Sequence, residues 1–249
     1  MMGTVLDHVA IGTLALTDGW ELFGGVLGGT WGYGGQSRGY WWGQLEFSSG
    51  PKIELLTPTG GPDSAFLERF LAGRGPGPHH FNFIVPDIRA TLSRVEAAGI
   101  EPVQVSFANP RWKEAFLHPR DAYGIVVQLA EQSGPPPEHP APRELPAPGP
   151  SSAFALVEHH VRDLAGATAL FSTALDGHVA SAGGSAAELT WGNGARLRLV
   201  ETAEAGRQRS GGRVGSLHFS RDQGAFTADE AGSAGELAKR LGVVLQLGG

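Results

Sequence analysis

Two histidines, His8 and His80, each head an apolar run, in Leu6-Asp7-His8-Val9-Ala10-Ile11 and His79-His80-Phe81-Asn82-Phe83-Ile84. Each run is followed by a second one with a polar side chain inside it: Glu54 in Lys52-Ile53-Glu54-Leu55-Leu56 and Gln128 in Ile125-Val126-Val127-Gln128-Leu129. The separations are 46 residues from His8 to Glu54 and 48 from His80 to Gln128, so the chain reads as one unit written twice, with a metal ligand at each end. Two imidazoles with two oxygen donors suit a borderline or hard divalent ion such as Zn, Co, Ni, Mn or Fe. Four protein ligands leave two octahedral positions open for two adjacent oxygens of a substrate, where the ion acts as Lewis acid on a forming enolate. Glu54 is the one carboxylate of the set, and hence the candidate catalytic base.

The elements that must position this set are strands. Alternate strand residues share a face, so one ligand from each of four strands converges inside a curved sheet, with Ala10 and Asn82 on the same concave side. The first strand runs from Val5 to Thr13; Asp18 and Glu21 then form an N-terminal capping signature for a short helix through Phe23 and Val26. Tyr40 to Phe47 and Pro51 to Thr57 read as a hairpin about Ser48-Ser49-Gly50, completing a β-α-β-β-β unit. A connector helix carries Phe66, Leu67, Phe70 and Leu71 on one stripe. The unit then recurs: strand His80 to Val85, a helix bearing Ile88, Leu92 and Val95 that ends at Gly99, and the runs Glu114 to Leu117 and Gly124 to Ala130.

Residues 134–150, GPPPEHPAPRELPAPGP, hold too much proline for ladder or helix and read as an extended linker. Beyond it a third copy follows, with strand Phe154 to Val161, a helix capped by Asp163 and strand Ala195 to Val200. A fourth begins at Val214 to Ser220, with Ser233 and Glu236 as a capping box for a helix Ala234 to Leu241, and stops after β-α-β. The expected class is α+β: repeated βαβββ modules forming cupped mixed β-sheets with helices on the outside. Residues 1–133 form the domain with the metal site and 151–249 a second, degenerate domain whose last module is incomplete.

Registering the copies on the helix-capping aspartate puts Leu156 seven residues before Asp163, and Gly215 seven before Asp222, where His80 stands before Asp87. Arg198 takes the place of Glu54, so the second half is expected to be metal-free. Glu158, His159, His160 and His218 are read as a solvent-facing edge, His79 as an exposed residue where its strand begins, and His118 as shaping a His-Pro turn. The aromatic cluster Trp31, Tyr33, Tyr40, Trp41 and Trp42 could line a pocket or simply pack. From it Trp31, Tyr40 and Trp42 join Asn82 and Arg111 as substrate-binding candidates. Arg111 could recognise a carboxylate or phosphate, the plain alternative being a solvated turn.

A net charge of −6 gives no broad attraction for phosphate backbones or anionic membranes, leaving a small-molecule substrate as the expected partner, with no nucleic acid and no membrane. The absence of cysteine removes disulfides, thiolate metal sites and cysteine nucleophiles together. The first residues carry neither a basic segment nor a long apolar one, and no run reaches membrane-spanning length, so a cytoplasmic protein is expected. The unpaired edge of the short fourth copy invites a second copy of the chain, as a homodimer.

His8, Glu54, His80 and Gln128, together with Phe116-Leu117-His118-Pro119-Arg120-Asp121-Ala122-Tyr123-Gly124, resemble the vicinal oxygen chelate (glyoxalase/bleomycin resistance/dioxygenase) superfamily, in pattern nearest to methylmalonyl-CoA epimerase and glyoxalase I. The resemblance covers Val5 to Glu131. It implies two modules building one cupped sheet with a divalent ion on these four positions. The implied activity is that of an isomerase, epimerase or lyase acting on a small carbonyl compound or thioester. The alternatives are a metal-free small-molecule binding protein of the same fold and, third, an extradiol-type dioxygenase. One departure stands out: the epimerases place glutamine on the first module's last strand and glutamate on the second's, whereas here Glu54 comes first and Gln128 second.

Overall fold

The computed structural model describes residues 3–134, 139–203 and 212–248; residues 135–138 of the expected linker lie outside the described residues. Its elements follow the repeat. The first copy is β1 (Val5–Gly12), α1 (Leu16–Trp20), which continues as a π-helix over Glu21–Val26, β2 (Thr30–Gln36), β3 (Tyr40–Glu46) and β4 (Lys52–Pro58). Connector α2 (Ala65–Arg74) leads to the second: β5 (Gly77–Ile84), α3 (Ile88–Ala97), β6 (Val103–Asn109), β7 (Trp112–Leu117) and β8 (Val126–Gln132). The third is β9 (Ser152–Val161), α4 (Leu164–Ala169) with a π-helical end Leu170–Ala174, β10 (His178–Gly183), β11 (Ala186–Thr190) and β12 (Arg196–Glu201). The fourth has β13 (Gly212–Arg221), α5 (Ala228–Arg240) and β14 (Leu245–Gly248).

Among the described residues two mixed sheets result, in the strand orders β2-β3-β4-β1-β5-β8-β7-β6 and β10-β11-β12-β9-β13-β14. Within each copy the first strand pairs in parallel with the last, β1 with β4, β5 with β8 and β9 with β12, while the remaining neighbours form antiparallel meanders. The α+β class of cupped mixed sheets with accompanying helices is therefore present. Among the described residues, no helix is long and apolar enough to cross a membrane.

Contacts within the chain divide it into two units that interleave the copies. One holds the residues up to Asp7, the stretch from His80 through β8, and Leu156 to Gly215. Its core is aromatic: Phe83 lies 5.3 Å from Trp191 and 6.0 Å from Phe171, and Phe81 lies 5.5 Å from the His159 ring. The other holds His8 to His79, the segment leading to Ala155, and Ser216 onward. There Phe154 stacks on Phe219 at 4.6 Å, and Phe47 packs edge-on against both.

Several local expectations are corrected. Helix α1 starts before Asp18: its N-cap is Ala15, without a side-chain cap, and Asp18 in the first turn pairs with Arg240 at 3.0 Å. Helix α5 starts six residues before Ala234, because Thr227 and Glu230 form the capping box and Ser233 lies inside the helix. Asp87 and Asp163 do cap α3 and α4, through bonds to the Ala90 and Gly166 amides. Asp222 does not cap; it accepts hydrogen bonds from Ser48 and Ser151.

The described part of the linker carries no ladder, as its proline content dictates, yet it is held down. The Trp31 indole donates to the His139 carbonyl at 2.9 Å, and the Gly149 amide donates to the Gly24 carbonyl at 3.1 Å. Arg221, buried and under the Phe226 ring, donates to the carbonyls of Pro150 and Val26 and pairs with Glu230.

Candidate metal centre

Period-two alternation separates chemistry from packing on each strand. On β5, Phe81 and Phe83 enter the aromatic core while His80 and Asn82 take the opposite face; on β4, Ile53 and Leu55 alternate with Glu54 and Leu56. Glu54 lies cross-strand from Gln44 on β3, and in the parallel β1–β4 pair its partner is Ala10, two residues beyond His8. That register brings the side chains together. Gln44 Nε2 donates to Glu54 Oε2 at 2.9 Å and lies 3.2 Å from His8 Nδ1, and His8 Nε2 lies 3.6 Å from Glu54 Oε1.

The ligating atoms of His8, Glu54 and His80 all lie within 4.8 Å of one another, and the three residues are only 2%, 7% and 6% exposed. Donors about 2.0–2.2 Å from a common ion lie roughly 3 to 4.4 Å apart, so sub-ångström adjustment closes this set on a divalent cation. A buried carboxylate facing two imidazoles also has the donor chemistry for Zn or a later first-row ion.

Gln128 is differently engaged. Its Oε1 accepts from Asn82 Nδ2 at 2.9 Å, and its Nε2 donates to Glu114 Oε2 at 2.9 Å, an oxygen that also accepts from the Trp112 indole at 2.9 Å. Sequence reasoning missed both Gln44 and Glu114. For Gln44 the available signal was a lone amide between the aromatics and Leu45 of β3; for Glu114 it was an acid alternating with Trp112 and Phe116.

The aromatic candidates separate by face. Tyr40 and Trp42 lie on the Gln44 side of β3, packed with Phe66, Phe70 and Leu71 of α2 against Ala10, Leu56 and Leu67. Trp31 does not join them. A bulge between Trp31 and Tyr33 sets Trp31 opposite Leu45 and Tyr33 opposite Gln44, so Trp31 packs with Trp20 and Trp41 on the other face. Tyr33 takes its place, 4.7 Å from Trp42; burial first, then the Glu54 charge, raises its phenol above the usual value. Asn82 is fully buried beside Gln128. Arg111 is exposed on the β6–β7 turn, where its amide bonds to Asn109.

Three other histidine readings resolve. His79 is not exposed: it sits between Phe66 and Phe70, and burial, then Arg74, lowers its pKa to about 4. His159 is not on a solvent edge either, being fully buried with Nε2 2.8 Å from the Tyr123 carbonyl. Glu158 and His160 of the same strand pair with each other at 2.9 Å. His118 Nδ1 accepts the Arg120 amide, shaping the expected turn.

Comparison with known proteins agrees with the architecture. Over 135 residues the chain is 27% identical to the Bacillus subtilis protein YqjC, covering 52% of this chain and 93% of that one. It is similar to the methylmalonyl-CoA epimerase of Mycobacterium tuberculosis, at 28% identity and a TM-score of 0.45 over 54% of this chain and 94% of that one. A variant of 4-hydroxymandelate synthase from Streptomyces coelicolor shares the fold more extensively, with 17% identity and a TM-score of 0.63 over 96% of this chain and 76% of that one. Residues 7–116 match the family model described as Glyoxalase/Bleomycin resistance protein/Dioxygenase superfamily. That family model assigns residues 7–116, the stretch that carries His8, Glu54 and His80, to a domain of this superfamily.

Proposed function

We propose that the chain is a metal-dependent isomerase, epimerase or lyase acting on a small carbonyl compound or thioester through an enolate. The observation that carries this reading is the convergence of two buried imidazoles and one carboxylate, His8, His80 and Glu54, within ligating distance of one another. When bound, a divalent ion would supply Lewis acidity to the oxygens of a chelating substrate. The chain's own residues do the rest. Gln44 orients His8 and Glu54, Glu54 moves the α-proton, and Tyr40, Trp42 and Tyr33 exclude water from the apolar part of the substrate. A positioned carboxylate base contributes about 10²- to 10⁴-fold to such a step.

Metal analysis of the purified chain tests the reading: about one ion per chain is expected, and a His8→Ala, His80→Ala double variant should lose it. Protein free of ion after incubation with Zn, Co, Ni, Mn and Fe salts refutes it and supports the metal-free binding alternative. In D₂O, a panel of 2-oxo acids and acyl thioesters should then show deuterium at the α-carbon, reduced about 10²- to 10⁴-fold by Glu54→Gln. Two imidazoles with one carboxylate also form the ligand set of non-haem iron oxygenases, which supports an oxygenase as the second reading. Oxygen consumption by Fe(II)-loaded protein without α-proton exchange would select it.

A further inference from the structure

The hydrogen bonds of β5, β7 and β8 have a polarity that can be read from one end. The Trp112 indole can only donate, so Glu114 Oε2 accepts from it and accepts again from Gln128, which must therefore present its NH₂. Gln128 is thereby obliged to turn Oε1 toward Asn82, and Asn82 to answer with Nδ2. Asn82 Oδ1 is what remains. The residue is 0% exposed, lies on the His80 face of β5, and among the described residues its Oδ1 meets no hydrogen-bond partner. A buried acceptor left unmet is costly, and its direction is set by four side chains in series.

We propose that Asn82 Oδ1 is the acceptor for a proton-bearing group of the bound ligand, selecting compounds with a hydroxyl beside the chelating carbonyl, as in an α-hydroxy acid. Gln128 is its positioning residue and not an ion ligand, and Glu114 and Trp112 fix the direction of the relay. The ion is held by His8, Glu54 and His80 alone, so this inference rests on the metal-dependent reading above.

Cobalt(II) alone is titrated into the full chain and followed by its visible absorption, after which glycolate and methoxyacetate, a pair differing by one O–H, are bound to the cobalt-loaded protein. Gln128→Ala should change cobalt affinity by less than about threefold and leave the spectrum in place, whereas His80→Ala abolishes uptake. The wild-type preference for glycolate over methoxyacetate should fall about tenfold in Asn82→Ala, and should also fall in Gln128→Ala and Trp112→Phe. Gln128→Leu, close in volume, repeats the measurement if the alanine variant does not fold.

A loss of more than about tenfold in cobalt affinity with a changed spectrum in the Gln128 variants makes Gln128 a ligand and overturns the assignment. So does cobalt loss in Asn82→Ala, or an unchanged glycolate preference. Those outcomes leave ion binding by the wild type intact; failure of the wild type to take cobalt overturns the metal reading and this inference together.

Discussion

Gln44 illustrates how a site depends on a residue that carries no chemistry itself. One buried amide contacts both His8 and Glu54. Groups that orient metal-ligating side chains are typically worth about 10- to 100-fold in ion affinity, so Gln44→Leu should weaken cobalt or zinc binding by that factor while His8 and Glu54 stay in place. Isothermal titration with the ion checks it. His8, Glu54 and His80 were legible because period-two strands reveal which residues share a face. Gln44 and Glu114 were not, because their roles depend on strand register, which is settled by long-range pairing. His159 shows the same limit for burial. Its pKa is lowered to about 4, by desolvation first and the neighbouring His160 charge, against upward contributions from the Tyr123 and Arg213 carbonyls. A folded pKa below the unfolded value of about 6.5 means that the unfolded chain binds the proton first as pH falls. Stability is therefore complete above about pH 6.5 and declines toward pH 4, by up to about 3 kcal/mol from this residue. His159→Gln, which keeps a donor for the Tyr123 carbonyl, should flatten that slope in urea unfolding measured from pH 7 to pH 4.

At the level of elements, capping aspartates were reliable where the first helical turn had no rival. Asp87 and Asp163 each bond the amide three residues on, as expected. In α5 two equivalent motifs compete, Thr227-Ala-Asp-Glu230 and Ser233-Ala-Gly-Glu236, and the upstream one prevails. Once a turn is nucleated, each further residue adds a hydrogen bond at little cost, so the earlier box absorbs the later into the helix interior. Thr227→Ala should accordingly cost about 1 kcal/mol, whereas Ser233→Ala should be neutral or slightly stabilising, alanine being the better helix former. Chemical denaturation of the two variants separates the cases, and an equal loss in both would contradict this account. The aromatic wall was half legible for a related reason. Strict alternation puts Trp31 and Tyr33 on one face; the bulge between them, invisible to a periodicity argument, divides them.

For the whole molecule, the repeat was legible from composition and spacing, whereas the way the copies share cores was not. Each unit draws its aromatic core from copies on both sides of the linker: Phe81 and Phe83 meet Phe171 and Trp191 in one, and Phe47 meets Phe154 and Phe219 in the other. No local pattern announces this, because a buried aromatic reads the same whichever copy it packs against. Its energetic consequence is large. Burying a side chain of this size stabilises by about 2–3 kcal/mol, so the four aromatics beyond the linker represent roughly 10 kcal/mol, comparable with the entire stability of a typical domain. Residues 1–133 expressed alone should therefore not fold as a stable monomer: they should bind a hydrophobic dye, unfold without a sharp transition, or self-associate to cover the exposed rings. Supplying residues 139–249 as a separate chain should restore a cooperative transition, since packing the rings requires proximity and not chain continuity. Sedimentation and thermal unfolding of the fragment, with and without its complement, decide the matter. A monomeric front half melting as sharply as the full chain would show that its core is sufficient without Phe154, Phe171, Trp191 and Phe219.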